Sequence, residues 1–477
     1  MKQTKCLKIG RVILEAVLFL LLLAGLLFGT QKILKLNMGH RGSDSVRGFY
    51  QEERNSIDVL FVGASTMFCT IDPLVLYEDY GIAAYDFGSS AQPFALSYLF
   101  MQEALKTQKP KVIALEALCI SKELVPDNLN YGITDLPFSA TKAKGLLEMF
   151  PNDRGEALSY LIPLMQYKDR WQELGRDDFL ENYESYDNYA KGAYTPDLVS
   201  ENPLDFSSYY DEEAFEIPEE NIRVFEKMVA LCKENDISLL LFKSPNVGWN
   251  IGQTKAVSEL AKNYEVPFID YYSLMDELKV DTATDFRDNT HFNRYGSKKA
   301  SDYMGAYLKE HYDLQDWRGT DGENGWDIAL RERAHDRQNE ILSRTDALPE
   351  YMNLLPYDGH TIVFSVTGDT QPMREFLDAL AQAFGLDGEA LAEGGSFAVR
   401  NGECISGLIG QQDGAWSWTE ANDHIRLTGY SITWNREVFQ LVDDGLTILV
   451  YDNEWEQLAD IAGFDAYDPA HAVRQTQ

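Results

Sequence analysis

Three polar side chains have the types that a serine nucleophile and its activating groups require. Ser65 follows the apolar run IDVLFVG (57–63), and Asp288 and His291 lie three residues apart in RDNTHFNRYG (287–296). A serine hydroxyl is a poor nucleophile at neutral pH, so it needs a basic imidazole, which in turn needs an acid that fixes its orientation. These residues therefore predict a catalytic triad of Ser65, His291 and Asp288.

Each of these signals also has a plainer interpretation. A Gly-x-Ser sequence after a strand is often only a tight turn. Asp288 would then cap a turn, and His291 would be a surface residue. Histidine is scarce, however, with seven in the chain, and only His291 falls after a predicted strand of the first domain. No two histidines have metal-ligand spacing, so we expect neither a metal nor another cofactor.

A third polar segment, YDFGSSAQP (85–93), follows the next apolar run. The backbone N–H of Gly88 and the side-chain amide of Gln92 are candidate donors to a tetrahedral oxyanion, a role typically worth about 10²–10³ in rate. The hydroxyl of Ser89 or Ser90 could also be a side-chain donor, and a helix start capped by Ser90 is an equally good interpretation of these serines. Lys243 ends a later apolar run, where it either binds an anionic group or pairs with an acid.

The elements that would position these residues alternate between apolar runs and amphipathic helices. Strands are predicted at 57–63, 83–88, 111–117, 237–243 and 266–272, and a closing helix at 294–311. This alternation predicts an α/β fold, a three-layer α/β/α sandwich around a parallel sheet. Ligands bind at the carboxyl ends of the strands in such sheets, so Ser65 and His291 should meet at that edge.

An insertion at 118–218 interrupts the predicted α/β domain of 55–312. It is rich in aromatic and acidic residues, as in YKDRWQEL (167–174) and ENYESYDNYAKGAY (181–194). Its composition fits a helical subdomain with its own small core. The alternative is a lid whose aromatic rings stack on sugars or a lipid acceptor.

The amino terminus decides the compartment. Residues 12–29 form an apolar run interrupted only by Glu15, which is about long enough to cross a bilayer core. The basic residues before it are Lys2, Lys5, Lys8 and Arg11, so the positive-inside rule predicts a cytoplasmic amino terminus. A cleaved signal peptide is the alternative, although no small-x-small site follows the run. We predict a single-pass membrane anchor (1–36), a polar stalk (37–54) and an extracytoplasmic body.

Length and charge limit the range of functions. A chain of 477 residues predicts two or three domains, and its net charge of −34 repels phosphate backbones, so we expect no nucleic-acid partner. A charged linker (313–354) precedes a second unit (355–477), a small α/β domain. It should contain the strands TIVFSVT, SFAVRNG, HIRLTGYSITWN and LTILVYDN, and a helix near 371–384.

The segments of the first domain resemble the SGNH/GDSL hydrolase superfamily over about residues 55–312. Gly63-x-Ser65 matches its first block, Gly88 its second and Asp288-x-x-His291 its last. The chain is similar to anchored bacterial proteins of alginate O-acetylation and of teichoic-acid D-alanyl transfer. The family's Gly-x-Asn-Asp block is not found, so its asparagine oxyanion donor is absent or replaced, with Gln92 as the candidate.

The resemblance implies an extracytoplasmic serine esterase or O-acyltransferase that acts on ester groups of a cell-surface or exported glycan. A glycan or cell-wall polymer would be its substrate, and an acyl-donor membrane protein would be a further partner. Hydrolase and transferase share one acyl-enzyme, so the triad leaves that choice open. The same segments also fit a non-catalytic glycan-binding scaffold with this fold, or a lipase.

The second unit resembles the interleukin-like EMT inducer domain. The similarity lies in HTIVFSVTGDTQP and LTILVYDNEWEQLADIAGFDAY, and mainly in Gly463-Phe464-Asp465. This resemblance implies glycan binding. A packing module without a ligand is the alternative.

Overall fold

The computed structural model describes residues 2–175, 177–180, 190–211, 213–320, 322, 324–409, 415–420, 423–428 and 431–474. They form two compact units, Met1–Glu332 and Arg333–Gln477. The segment predicted as a linker (313–354) is divided between them. Its first part belongs to the first unit because the indole of Trp317 donates to Asp58 at 2.8 Å and Trp326 is buried.

A five-stranded parallel sheet runs through the first unit. Its strands are β1 (Val59–Gly63), β2 (Ala84–Gly88), β3 (Val112–Glu116), β4 (Ser238–Lys243) and β5 (Phe268–Asp270). They lie in the order β2-β1-β3-β4-β5. The helices are α1 (Lys2–Leu34), α2 (Ser43–Phe49), α3 (Ser65–Phe68), α4 (Pro73–Tyr80), α5 (Phe94–Ala104), α6 (Asn130–Ile133), α7 (Ala140–Met149), α8 (Arg154–Leu161), α9 (Pro163–Tyr167), α10 (Asp177–Leu180), α11 (Glu219–Glu234), α12 (Ile251–Asn263), α13 (Tyr271–Leu274) and α14 (Arg294–His311).

Both faces of this sheet are buried, which explains why its strands are almost wholly apolar. Successive side chains of a strand point to opposite faces, so Leu60 and Val62 join one core cluster while Val59 and Phe61 join another. The predicted parallel sheet and closing helix are confirmed, whereas the three-layer arrangement stays a prediction. The last strand is shorter than predicted because α13 begins at Tyr271.

Residues 37–54, predicted as a stalk, are part of the first unit. They contain α2, in which Val46 and Phe49 are buried in the core. The ring of Phe49 stacks on Phe87 of β2 at a centroid distance of 4.1 Å. The tyrosine hydroxyl of Tyr85 donates to the Ser45 carbonyl at 2.8 Å. The prediction of a stalk was wrong because SVRGF buries its apolar residues on the sheet.

The insertion (118–218) folds as short helices, α6 to α10, together with several 3₁₀ turns. Its buried side chains, such as Ile133, Leu146 and Tyr160, belong to the same core cluster as the sheet. The insertion therefore shares the main core instead of forming a small one of its own. Residues 181–189, which hold part of the aromatic segment ENYESYDNYAKGAY (181–194), lie outside the described part of the chain.

Helix α1 contains the one described segment, Val12–Leu34, that is long and apolar enough to cross a membrane. Its side chains from Val12 to Phe28 are exposed in the folded chain. A signal sequence near an amino terminus would have the same length and composition.

The second unit is built on antiparallel sheets. One has the order β15-β14-β13-β6-β7-β8 and the other β12-β11-β10-β9. Helix α15 (Gly325–Arg344) crosses the boundary between the units, and α16 (Leu348–Leu354), α17 (Arg374–Ala383) and α18 (Gly388–Ala392) follow. The strands are β6 (His360–Thr367), β7 (Gly395–Arg400), β8 (Glu403–Ile409), β9 (Ala415–Glu420), β10 (Asp423–Thr428), β11 (Ile432–Trp434), β12 (Glu437–Phe439), β13 (Gly445–Asp452), β14 (Gln457–Asp465) and β15 (Ala472–Val473). HIRLTGYSITWN, predicted as one strand, forms the antiparallel pair β10 and β11.

The burial of α2 predicts that this segment stabilises the first unit. Replacing Phe49 with alanine should lower the free energy of unfolding by about 3–5 kcal/mol, because it leaves a cavity beside the sheet. Replacing the neighbouring exposed Gln51 with alanine should change it by less than about 0.5 kcal/mol. Urea unfolding of both variants is the measurement, and equal stabilities would show that residues 37–54 form a stalk after all.

Candidate active site

Ser65 is the first residue of α3, directly beyond the carboxyl end of β1. All residues from 56 to 77 are buried except Ser65, which is half-buried. Gly63 permits this packing, because a Cβ at its position would lie only 2.9 Å from the Cβ of Glu116. The strand order also reverses at β1, where sheets of this kind leave a crevice for ligands. The turn therefore presents one hydroxyl to solvent at the expected edge of the sheet.

His291 lies in a loop that folds back before α14. The loop is closed by a bridge between Phe286 and Phe292 and by the Arg287 N–H, which donates to the His291 carbonyl at 3.1 Å. The Nε2 atom of His291 is 2.8 Å from the Oγ atom of Ser65. Two residues that are 226 positions apart in the chain are thus in direct hydrogen-bond contact.

Asp288 holds this imidazole from the other side. Its Oδ1 and Oδ2 atoms lie 2.8 and 2.9 Å from Nδ1 of His291. Oδ1 also accepts the backbone N–H groups of Thr290 and His291, at 2.8 and 3.0 Å. The carboxylate therefore caps the turn and orients the ring at once, so both interpretations of Asp288 apply together. A proton on Nδ1 bonded to Asp288 leaves the Nε2 lone pair facing the Ser65 hydroxyl.

The electrostatics keep Asp288 ionised. Burial alone would raise the pKa of Asp288, but the hydrogen bond and charge of His291, the Thr290 N–H and the Arg287 guanidinium lower this pKa to about 2. A depressed carboxyl pKa stabilises the folded state above the pKa of the unfolded chain, and this contribution is lost as the pH falls through about 2. Asp288 is therefore an anion at neutral pH.

The two predicted oxyanion donors are engaged elsewhere. The Gly88 N–H donates to the Ser45 hydroxyl at 3.1 Å. Gln92 is fully buried, and its amide accepts from Ser89 at 3.0 Å and donates to Ser97 at 2.9 Å. Both predictions were wrong, since Ser45 of α2, Ser89 directly after β2 and Ser97 of α5 supply these partners. Gly88 serves close packing instead, because a Cβ there would lie 2.4 Å from the Gly63 carbonyl oxygen.

A buried ion pair lies beneath α3. Glu116, at the end of β3, and Lys243, at the end of β4, are both inaccessible to solvent, and their Oε1 and Nζ atoms are 3.3 Å apart. Burial lowers the pKa of Lys243, against the opposing effect of the Glu116 carboxylate. The ammonium also lies 4.8 Å from the centre of the Trp249 ring and donates to the Asn246 amide oxygen at 2.8 Å. Lys243 thus pairs with an acid, one of its two predicted roles.

This pair is connected to the residues that follow Ser65. The Thr66 hydroxyl donates to Glu116 Oε2 at 2.9 Å, and the Leu118 N–H donates to the same oxygen at 2.9 Å. The Thr70 hydroxyl donates to Ser244, the residue after Lys243, at 2.7 Å. Helix α3 is therefore attached to β3 and β4 near both of its ends.

Three further residues, missed by sequence reasoning, form a series of contacts that ends at Asp288. The Arg287 guanidinium lies 3.2 Å from Asp288 Oδ2 and 5.0 Å from the centre of the Tyr194 ring. The Tyr194 ring also stacks on the ring of His40, with a centroid distance of 4.2 Å. Arg287 adjoins Asp288 in sequence, so its contact with this carboxylate could have been predicted. His40 and Tyr194 come from distant segments without a motif.

Among the described residues, no group of three or more His, Cys, Asp or Glu side chains has a metal-binding arrangement.

Comparison with known proteins adds little. No family model matches the chain, and no curated protein matches it. Among solved structures, the fold of this chain is similar to the crystal structure of a protein from Bacteroides fragilis named as a candidate acylhydrolase, with 13% sequence identity and a TM-score of 0.27. The similarity covers 54% of this chain and 89% of the other.

The buried pair predicts a specific pattern of stability. Replacing Lys243 with methionine leaves the Glu116 charge without its cation and should cost about 3–5 kcal/mol in the free energy of unfolding. The double variant with Glu116→Gln should recover part of this loss, because neither charge is then buried alone. Lys298→Met, which removes an exposed pair with Asp79 and Asp302, is the control and should cost at most about 1 kcal/mol. Urea unfolding measures all three, and equal costs for the two lysines would contradict the assigned role.

Proposed function

We propose that this protein is a serine ester hydrolase or O-acyltransferase of the SGNH/GDSL type, with Ser65 as nucleophile, His291 as base and Asp288 as the residue that orients the base. The observation that carries the proposal is the continuous hydrogen-bond chain, 2.8 Å from Ser65 to His291 and 2.8 Å from His291 to Asp288. These separations lie within the range of about 2.6–3.2 Å expected of a nucleophile and its base.

The reaction follows from this geometry. His291 Nε2 takes the hydroxyl proton as Ser65 Oγ attacks the carbonyl carbon of an ester. His291 then gives the proton to the departing alkoxide oxygen, which leaves an acyl group on Ser65. Water completes a hydrolysis, and a sugar hydroxyl completes a transfer. In either case His291 removes the acceptor's proton and returns it to Ser65 Oγ as the bond between Ser65 and the acyl group breaks. Asp288 stabilises the imidazolium in both half-reactions.

The backbone N–H of Ser65 is the donor that we assign to the oxyanion. Helix α3 begins at this residue, and the first N–H groups of a helix have no acceptor within the helix. An N–H on the nucleophile's own residue also lies beside the carbon under attack, as in other serine hydrolases. This assignment replaces the donors Gly88 and Gln92.

The substrate that we propose is an ester of a cell-surface or exported glycan, reached outside the cytoplasm. The apolar segment of α1 supports a location at a membrane, with the four basic residues before the segment on the cytoplasmic side. A glycan-binding role for the second unit and an acyl-donor membrane protein as partner belong to the same proposal. A non-catalytic scaffold has less support, because it does not require the half-exposed Ser65 to contact His291.

The nucleophile can be tested without knowing the substrate. A fluorophosphonate probe should label the intact protein on Ser65, because the hydroxyl is activated and exposed. Ser65→Ala should abolish labelling, while Ser90→Ala, which removes a hydroxyl after the neighbouring strand, should leave it unchanged. Fluorescence in a denaturing gel and peptide mapping are the measurements. Labelling of Ser65→Ala at the level of the parent protein would refute the assignment.

The role of Asp288 can be tested by turnover of an acetyl ester. Asp288→Asn retains the shape of the side chain but favours the wrong imidazole tautomer, so kcat should fall by about 10⁴. The control is Asp276→Asn, which neutralises a carboxylate after α13 and should leave kcat unchanged. A loss of less than about tenfold in Asp288→Asn would show that Asp288 only caps its turn.

A further inference from the structure

The outer end of α1 is attached firmly to the insertion. Leu34, the last residue of α1, is buried, and Arg170 Nη1 donates to the carbonyls of Leu34 and Lys35 at 3.1 and 3.2 Å. The next residue, Lys35, pairs with Asp135, whose side chain is fully buried and also lies 2.8 Å from the Arg47 guanidinium. The helix therefore continues into the first unit through several polar contacts, without an intervening flexible segment.

Large apolar side chains are exposed around this attachment. Three of them lie on elements that contact α1, namely α9, α10 and the 3₁₀ turn Lys168–Gln172. The fourth, Phe138, lies three residues after Asp135. The exposed side chains are Phe138 (76%), Met165 (44%), Trp171 (64%) and Phe179 (49%). Several large exposed apolar side chains around one attachment point are unfavourable in water and indicate a contact surface.

The depth of these residues follows from helix geometry. A hydrocarbon core of about 30 Å takes about 20 helical residues at about 1.5 Å each. A span that begins at Val12 therefore ends about one turn before Leu34. Arg170 binds the Leu34 carbonyl, so the adjacent Trp171 lies at the level of the lipid headgroups. Tryptophan is enriched at this depth because its ring is apolar and its N–H is polar.

We propose that Phe138, Met165, Trp171 and Phe179 form a membrane platform, a surface that rests on the phospholipid bilayer spanned by α1. The platform contacts lipid through apolar side chains and not through charge: Lys168 beside it pairs with Asp169, and Arg170 pairs with Asp178. The first unit is then held to the bilayer at two places, by α1 and by the platform, which fixes its orientation.

The fixed orientation places the proposed active site near the membrane. His40 is six residues beyond Leu34, so even a fully extended chain separates them by only about 22 Å. His40 stacks on Tyr194, which in turn contacts Arg287 beside Asp288. Given the proposed function, the ester would reach Ser65 close to the bilayer surface.

The platform can be tested on the full chain in phosphatidylcholine nanodiscs that carry lipids brominated near the headgroup. None of the eight tryptophans lies in α1, and Trp171 is the most exposed of them. Brominated lipid should therefore quench part of the tryptophan fluorescence, and Trp171→Phe should remove most of that quenching. Trp455→Phe in the second unit is the control and should leave the quenching unchanged. Phenylalanine retains an apolar contact, so the variant should still fold.

Several results would overturn the proposal. Absence of quenching in the parent protein would do so, as would equal quenching in Trp171→Phe. Protection of Trp171 from aqueous acrylamide only when two chains share a disc would identify a second copy as the occupant. An intact mass that lacks the apolar amino-terminal segment after membrane extraction would show that α1 is a cleaved signal. Because none of these readouts depends on catalysis, they distinguish failure of the platform from failure of the ester chemistry.

Discussion

The buried contact between Glu116 and Lys243 is the constraint on which the proposed site depends. Two charges without solvent access cost several kcal/mol each unless other groups satisfy them. The structure meets this requirement with the hydroxyl of Thr66, the N–H of Leu118 and the amide oxygen of Asn246. Since Thr66 follows Ser65, satisfying the buried carboxylate also fixes the start of α3. The position of Ser65 is thus a consequence of the polar core beneath it.

Close packing around the same turn explains its two glycines. A side chain at Gly63 would collide with Glu116, and one at Gly88 would collide with the Gly63 carbonyl and the Met67 side chain. The two strands and α3 approach each other so closely that only hydrogen fits at these positions. Ser65 is the residue of this segment that reaches solvent, and the loop around His291 meets it there. A preoriented nucleophile requires a rigidly packed turn beneath it and a side chain that is open to solvent.

The attachment of α1 links this site to the segment that we propose crosses the membrane. Asp135 pairs with Lys35, directly after α1, and with Arg47 of α2. Helix α2 also supplies the Ser45 hydroxyl, which accepts the Gly88 N–H at the end of β2, beside β1. Residues 37–54 therefore connect α1 to the sheet edge through packed and hydrogen-bonded side chains. In the proposed membrane-bound state, a stalk would leave the unit free to rotate above the bilayer, whereas this connection would restrict it.

The parallel strands, the closing helix, the apolar amino-terminal segment and the residues of the proposed triad could be predicted from the sequence. These features depend on local periodicity and on the few residue types that suit a chemical role, both of which are visible in short segments. The partners of Gly88 and Gln92, the burial of α2 and the pairing of Glu116 with Lys243 could be learned only from the folded chain. Those contacts join residues far apart in sequence, such as Ser45 with Gly88 and Glu116 with Lys243. No local pattern specifies them, because each depends on which elements the folded sheet brings together.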